Sequence, residues 1–195
     1  MEEIVAVAFG YLAGSVPFAF LVARRRGVDV RQAGSGNVGA TNVLRTTGPA
    51  YAVAAVCLDA AKGALAVLVA QRLTEGPATP VAAGLASIIG HLYPVWLRFH
   101  GGKGVATTAG VFGVLAPTAV VIAAAAFATA TWVTRYVSVG SLAAAVTLGV
   151  AAGAGDVPSA VSVGAAIAAL IIVHRHRANL GRLVAGTERR IGQRI

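Results

Sequence analysis

Charged side chains are scarce in this chain, 12% of 195 residues against roughly 25% in an ordinary soluble domain. Cysteine is nearly missing. The single thiol, Cys57, lies within an apolar run, which rules out a disulfide framework and a thiolate metal site and reads as a small core residue. Carboxylates are absent from the two most glycine-rich polar stretches, residues 34–45 and 90–107, and only Glu188 stands at the edge of a third. Acid/base work by paired carboxylates therefore has no seat in them. A positive leader is absent as well, since the chain opens Met1-Glu2-Glu3, and the first apolar run is expected to stay as a span.

What is present is apolar. Hydrophobic residues make up 57% of the chain, mainly Ala, Val, Leu and Ile in long runs that suit spanning helices and not the alternating segments of an outer-membrane barrel. The fold class expected is an all-α integral membrane protein forming a single transmembrane domain, residues 1–195. A first span over about residues 4–23 carries Gly10 and Gly14 as a small-xxx-small face, with Pro17 as a kink, and ends at Arg24, Arg25 and Arg26. A second, about 49–73, holds Asp59 and Lys62 three residues apart on one helical face. Such a pair should turn inward, and it stays open between a functional role and an ion pair that locks the bundle. A third covers about 79–97. Residues 105–134 are long for one tilted helix, and Gly113 with Pro117 sits where two shorter segments could meet; runs over about 137–152 and 159–173 follow.

Charge decides the number of spans expected. With two spans in residues 105–134 the total is seven, and fourteen of the sixteen Lys and Arg residues fall on the cytoplasmic side, leaving Arg72 outside and Lys62 within the membrane. With one span the total is six, and eight cations lie outside against seven inside. The positive-inside rule prefers seven spans, some short or broken, with the N-terminus outside and the C-terminus cytoplasmic.

Four polar stretches then gather on the cytoplasmic face. Residues 34–45, GSGNVGATNVLR, hold Gly34, Gly36 and Gly39 in the spacing of a dinucleotide fingerprint, but no strand precedes them and no βαβ unit fits between two spans. The stretch reads instead as a flexible turn with Ser35, Asn37, Thr41 and Asn42 as neutral donors and Arg45 as a bidentate cation for an anion. Residues 90–107, GHLYPVWLRFHGGKGVAT, set Lys103 among Gly101, Gly102 and Gly104. Small residues around one flexible cation allow close approach of backbone N–H groups to a phosphate, although the spacing is not that of a P-loop. In the same stretch His91 precedes Leu-Tyr-Pro and could cap the end of a span at Pro94. The third stretch, RYVSVGSL, offers Arg135, Ser138 and Ser141, and the fourth, HRHRANLGRLVAGTE, offers His176 and Asn179 on one helical face with Arg182 and Glu188 nearby. Arg175, Arg189, Arg190 and Arg194 read as anchors for anionic lipid headgroups.

GSGNVGATN, DAAKG, GHLYPVWLRFHGGKGVAT and HRANLGRLVAGTE, in this order and preceded by GYLAGSVPF, resemble the acyl-phosphate-dependent glycerol-3-phosphate acyltransferases, bacterial membrane enzymes. The resemblance covers nearly the whole chain. It implies transfer of a fatty acyl group from acyl phosphate to the 1-hydroxyl of sn-glycerol 3-phosphate, giving lysophosphatidic acid and inorganic phosphate, in the bacterial inner membrane with the site on the cytoplasmic side. It implies catalytic roles for Ser35, Arg45, Lys103, His176 and Asn179. Substrate contacts would come from Gly34, Gly36, Asn37, Thr41, Asn42, His91, Gly101, Gly102, Gly104, Ser141, Arg182 and Glu188, with Ser138 and Ser141 left as alternatives for one ligand. The partners implied are the two substrates and membrane lipid; neither a cofactor, nor a metal, nor nucleic acid is called for. Four donor-rich stretches suit two phosphate-bearing substrates independently of the resemblance. The rival reading is a small anion or phosphate-ester transporter, since interrupted helices and a buried ion pair are transporter features too. Against it, no inverted repeat of the motifs is visible.

Overall fold

The computed structural model describes residues 1–193; Arg194, one of the tail cations counted above, lies outside the described residues. Every regular element among them is helical, and the chain forms two compact units, Met1–Val114 and the stretch from Leu115 onward.

The first unit opens with α1 (Glu2–Ser15) and α2 (Phe18–Arg24), parted at Val16–Pro17, where proline removes one N–H from the ladder. A loop leads to the short α3 (Ala40–Thr47), then α4 (Pro49–Leu73) begins with proline at its first turn, the position where the missing N–H costs nothing. Its 25 residues give about 37 Å, enough to cross a bilayer core of about 30 Å. α5 (Ala78–Leu92) follows, then a 3₁₀ turn (Val95–Leu97) and the short α6 (Val105–Leu115). Glycine sets how closely these helices approach. A Cβ on Gly10 or Gly14 would run into the carbonyl oxygens of Ala83 or Ser87 on α5, and one on Gly90 would meet Tyr11 O on α1. On α4, Gly63 meets Thr107 O of α6, and Gly110 of α6 meets Ala60 O. In a membrane, where lipid is as apolar as any side chain, such close packing holds helices together.

The second unit contains α7 (Pro117–Thr134), α8 (Val137–Ala154), α9 (Ser159–Arg175) and α10 (Arg177–Val184). Arg135, with φ 65°, makes the tight turn from α7 to α8, and Gly140 gives room to Phe127 and Thr131. Ser162 Oγ donates to Ala152 O at 2.9 Å across the turn between α8 and α9.

Among the described residues, five helical segments are long and apolar enough to cross a membrane: Glu2–Arg24, Pro49–Leu73, Ala78–Leu97, Pro117–Thr134 and Val137–Ala154. The pair Ser159–Arg175 and Arg177–Val184, bent by 52°, makes a sixth when its two members count as one span, and Val105–Leu115 is a shorter apolar helix. Residues 105–134 thus form two helices broken at Ala116. Two expectations are corrected. Cys57 is exposed on the outer face of α4 and is not a core residue, because the inward face is taken by Ala55, Asp59 and Lys62. The loop before α3 is anchored, since Val30, Val38 and Val43 pack with Ala19, Ala23, Ala52, Ala55 and Leu97.

Candidate active site

In the first unit the geometry of the 34–45 stretch follows from Asn42. This side chain is buried in the first turn of α3, and its Nδ2 donates to the carbonyls of Val30 (2.8 Å), Ala33 (3.0 Å) and Asn37 (3.1 Å), while Oδ1 accepts the N–H of Ser35 (2.9 Å). One amide thereby closes a loop whose backbone has no ladder of its own. Gly34 (φ 66°) and Gly36 (φ 72°) take left-handed turns within it, and a Cβ on Gly34 would strike Asn42 Oδ1. The loop leaves Ser35 exposed, with Asn37, Thr41 and Arg45 half-buried around it. Upstream, the Arg31 side chain forms a two-point ion pair with Asp29 and lies over the Phe20 ring at 4.8 Å; its hydrogen bond holds the Asp29 carboxyl down to about 2.

The glycine-lysine stretch is folded back onto the end of α5. Arg98 and Phe99 have positive φ (52° and 63°), and the chain reverses so that the N–H of Gly101 donates to Leu92 O at 3.1 Å and that of Gly102 to His91 O at 3.2 Å. Those backbone donors, expected to face an anion, are spent on the last turn of α5. Of the three glycines only Gly104 (φ 86°) is left-handed. Gly101 and Gly102 are glycine for lack of room, since a Cβ would meet His91 O at the first and His91 Nε2 at the second, with Val38 O 2.6 Å away. The two glycine-rich stretches therefore touch at Val38 and Gly102. Lys103, half-buried, stands at the entry to α6, where unpaired N–H groups and the helix dipole favour an anion.

Beneath these loops lies the ion pair expected within α4. Lys62 Nζ is 2.8 Å from Asp59 Oδ1, and both side chains are almost fully buried. Lys62 also donates to Val16 O at 2.8 Å. His91 places Nδ1 3.5 Å from the same Asp59 oxygen, which corrects the expectation that it caps the helix end at Pro94: its side chain turns to a neighbouring helix, and at the end of α5 the Tyr93 N–H bonds Ile89 O.

The second unit builds a different cluster around Glu188. Its Oε1 accepts from Asn179 Nδ2 at 2.6 Å and its Oε2 from Arg182 Nε at 2.7 Å. Burial pushes the carboxyl up, but the hydrogen bonds from Asn179 and Arg182 and the nearby Ser138 hydroxyl outweigh it and leave its pKa below the ordinary value. Ser138 is buried without a hydrogen bond of good geometry, whereas Ser141 Oγ is committed to Val137 O at 2.9 Å. Beyond Glu188 the tail returns to the start of α8, with the Ile191 N–H on Arg135 O (2.8 Å) and Arg190 Nε on the Tyr136 hydroxyl (3.2 Å). His176 caps the start of α10, its carbonyl accepting the Leu180 N–H at 2.9 Å, and it is buried three residues before the buried Asn179. It sits at the bend between α9 and α10, with Nδ1 donating to Ile172 O at 2.8 Å, so the ring carries a proton on Nδ1.

The family model for Glycerol-3-phosphate acyltransferase matches residues 4–186 of this chain. The chain belongs to that family. Similar proteins named glycerol-3-phosphate acyltransferase occur in Anaeromyxobacter sp. (strain Fw109-5), 49% identical over 96% of each chain, and in Symbiobacterium thermophilum, 47% identical over 98% of this chain and 96% of the other. Among solved structures, PlsY (YgiH), an integral membrane glycerol 3-phosphate acyltransferase, in its glycerol 3-phosphate form is 37% identical and superposes with a TM-score of 0.94 over 98% of this chain and 96% of that one. Its lysophosphatidic acid form gives 0.92.

Within this family member the two units hold separate subsets of the sequence-derived candidates. Ser35, Asn37, Thr41, Asn42, Arg45, His91, Lys103 and the glycines 34, 36, 101, 102 and 104 belong to the first; Ser141, His176, Asn179, Arg182 and Glu188 belong to the second. What sequence reading missed is the contact of His91 with Asp59, the bond from Lys62 to Val16 O, and the tie from Arg190 to Tyr136. Asp59 and Lys62 were visible by their spacing, but a partner on another helix leaves no trace in one sequence.

Proposed function

We propose that this protein transfers a fatty acyl group from acyl phosphate to the 1-hydroxyl of sn-glycerol 3-phosphate, releasing lysophosphatidic acid and inorganic phosphate, as the first step of bacterial phospholipid synthesis. The observation that carries the reading is membership of the glycerol-3-phosphate acyltransferase family along residues 4–186, with both glycine-rich stretches and the C-terminal polar stretch as far as Gly186 inside the match. The proposal includes a single transmembrane domain with seven spans, α6 being a short one, in the inner membrane with the N-terminus outside and the site cytoplasmic; the positive-inside count supports it.

In this reading Lys103 and Arg45 neutralise substrate phosphate, and the glycines 101, 102 and 104 shape the acyl-phosphate loop. Ser35 in the first unit and Ser141, His176 and Asn179 in the second are further polar groups for the substrates; Gly34, Gly36, Asn37, Thr41 and His91 support the former, and Arg182 the latter. Asn42 and Glu188 hold those groups in place through the hydrogen bonds that close the 34–45 loop and the Glu188 cluster. Acyl phosphate is already an activated mixed anhydride, so no acyl-enzyme is needed. The glycerol oxygen attacks the acyl carbon, the bond from that carbon to the phosphate oxygen breaks, and the hydroxyl proton passes to a phosphate oxygen, whose pKa lies near neutrality. Cys57 is exposed, while Asp59 and Lys62 on the same helix are buried toward the loops, and it supplies no nucleophile.

The deciding experiment offers acyl phosphate, acyl-CoA and acyl carrier protein separately to purified protein with glycerol 3-phosphate. Product from acyl phosphate alone is expected; product from the thioesters alone would overturn the donor. A stoichiometric burst of phosphate without glycerol 3-phosphate, or a covalent acyl adduct by mass spectrometry, would overturn direct transfer.

A further inference from the structure

We infer that Asp59 and Lys62 are positioning residues for the glycine loop, acting through His91. The inference rests on the proposed reading of residues 101–104 as the loop that takes acyl phosphate. Three observations meet at this cluster. Lys62 Nζ bonds Val16 O at 2.8 Å, where the break at Pro17 takes that carbonyl out of the regular helical ladder and leaves it only the Phe18 N–H, at 3.1 Å, as a backbone donor; the ammonium fills its second acceptor position. The same ammonium lies 2.8 Å from Asp59 Oδ1, and that oxygen is 3.5 Å from His91 Nδ1, so one carboxylate oxygen stands in ion-pair range of side chains from α4 and α5, although neither contact is a hydrogen bond of good geometry. His91 then touches Gly102 twice. Its carbonyl accepts the Gly102 N–H at 3.2 Å, and its ring Nε2 abuts the glycine so closely that a Cβ would collide.

A small recess is lined jointly by Phe18, Asp59, Lys62, His91, Gly101 and Gly102, so cluster and loop share one wall. The chain of contacts runs from the broken first span through Lys62, Asp59 and the imidazole to Gly102, one peptide bond from Lys103. A carboxylate facing Nδ1 limits how far the ring can turn, as a second residue does for an orienting histidine. Loss of the carboxylate frees the ring, and the loop that carries Lys103 loses the surface on which it rests. A lock that only held helices together would lower stability without telling one substrate from another.

The test compares Asp59→Asn, His91→Leu and His91→Asn with wild type, well below each melting temperature. The KM for acyl phosphate is expected to rise about tenfold or more in Asp59→Asn and His91→Leu, with that for glycerol 3-phosphate within about twofold of wild type. His91→Asn, whose amide can donate from near the Nδ1 position, is expected to recover part of the loss. Equal rises for both substrates, unchanged constants with only a lower melting temperature, or identical behaviour of the two His91 variants would each overturn the inference. If Asp59→Asn does not fold, the His91 variants decide, since they leave the ion pair intact. Should wild type fail to use acyl phosphate, the proposed function falls on that result alone. Amide hydrogen exchange at Gly101 and Gly102 then decides the positioning: faster exchange in His91→Leu is expected, and exchange as slow as wild type would overturn it.

Discussion

Two residues carry most of the charge asked of the proposed site. Lys103 stands at the entry of α6 and Arg45 on α3, and each is half-buried, where solvent screens a charge less than at an open surface. Lys103→Ala and Arg45→Ala are expected to fold and to lose about two orders of magnitude in turnover, as when a preorganised donor worth ~3 kcal/mol is removed. Steady-state kinetics at saturating substrate checks this, and near-normal turnover in either variant would remove that residue from its role. Glu188 makes a different prediction. Its folded carboxyl titrates below the ordinary glutamate value, so its cluster is fully stabilising above that value and is lost as pH falls through the lowered one. Wild type is therefore expected to lose thermal stability below about pH 4.5, the ordinary value, more steeply than Glu188→Gln, which cannot titrate. Parallel pH profiles of melting temperature for the two proteins would show that the cluster contributes nothing.

At the scale of the helix, glycine marks where backbones touch. Gly14 on α1 faces Ser87, and the atoms a Cβ would meet are backbone ones that cannot turn aside. Gly14→Val is expected to destabilise the protein in detergent by at least the ~1–3 kcal/mol of an overpacked core. Gly113 in α6 has nothing within 4 Å of its Cβ position, so Gly113→Ala should be neutral or gain up to about 1 kcal/mol from helix propensity. Thermal melts of the two variants side by side check both, and equal behaviour would mean that the close approach of α1 to α5 does not matter for stability.

For the whole molecule the testable matter is how the chain threads the bilayer. With Cys57 replaced by Ala, single cysteines at Gly153, the end of α8, and at Thr187, beyond α10, are both exposed and should label from opposite sides in oriented vesicles. Labelling from the same side would mean that α9 does not cross. The charge count behind this expectation treats each span as an independent rod with cations at its ends, and it takes α6 and α7, broken at Ala116, as two such rods.

Composition and run length settled that the chain is helical and belongs in a membrane, because only a helix satisfies its backbone within one apolar segment. Most helix ends were legible for local reasons: Pro17, Pro49 and Pro117 lack an N–H, and the cations after Ala23 stop the first span. The polar stretches were legible too, because glycines beside Lys103, or donors ahead of Arg45, are costly to keep between spans without a use. What one sequence could not say is which polar groups serve the loop and which face a ligand. Asn42 reads as a donor for substrate and is spent on Val30, Ala33 and Asn37. Gly102 reads as a flexible N–H and is a gap cut for an imidazole. His91 reads as a cap and turns to Asp59, 32 positions away in sequence, at 3.5 Å. Each of these outcomes was decided by a partner on another element, and tertiary packing alone brings such partners within hydrogen-bond reach, where an unpaired buried polar group must find one.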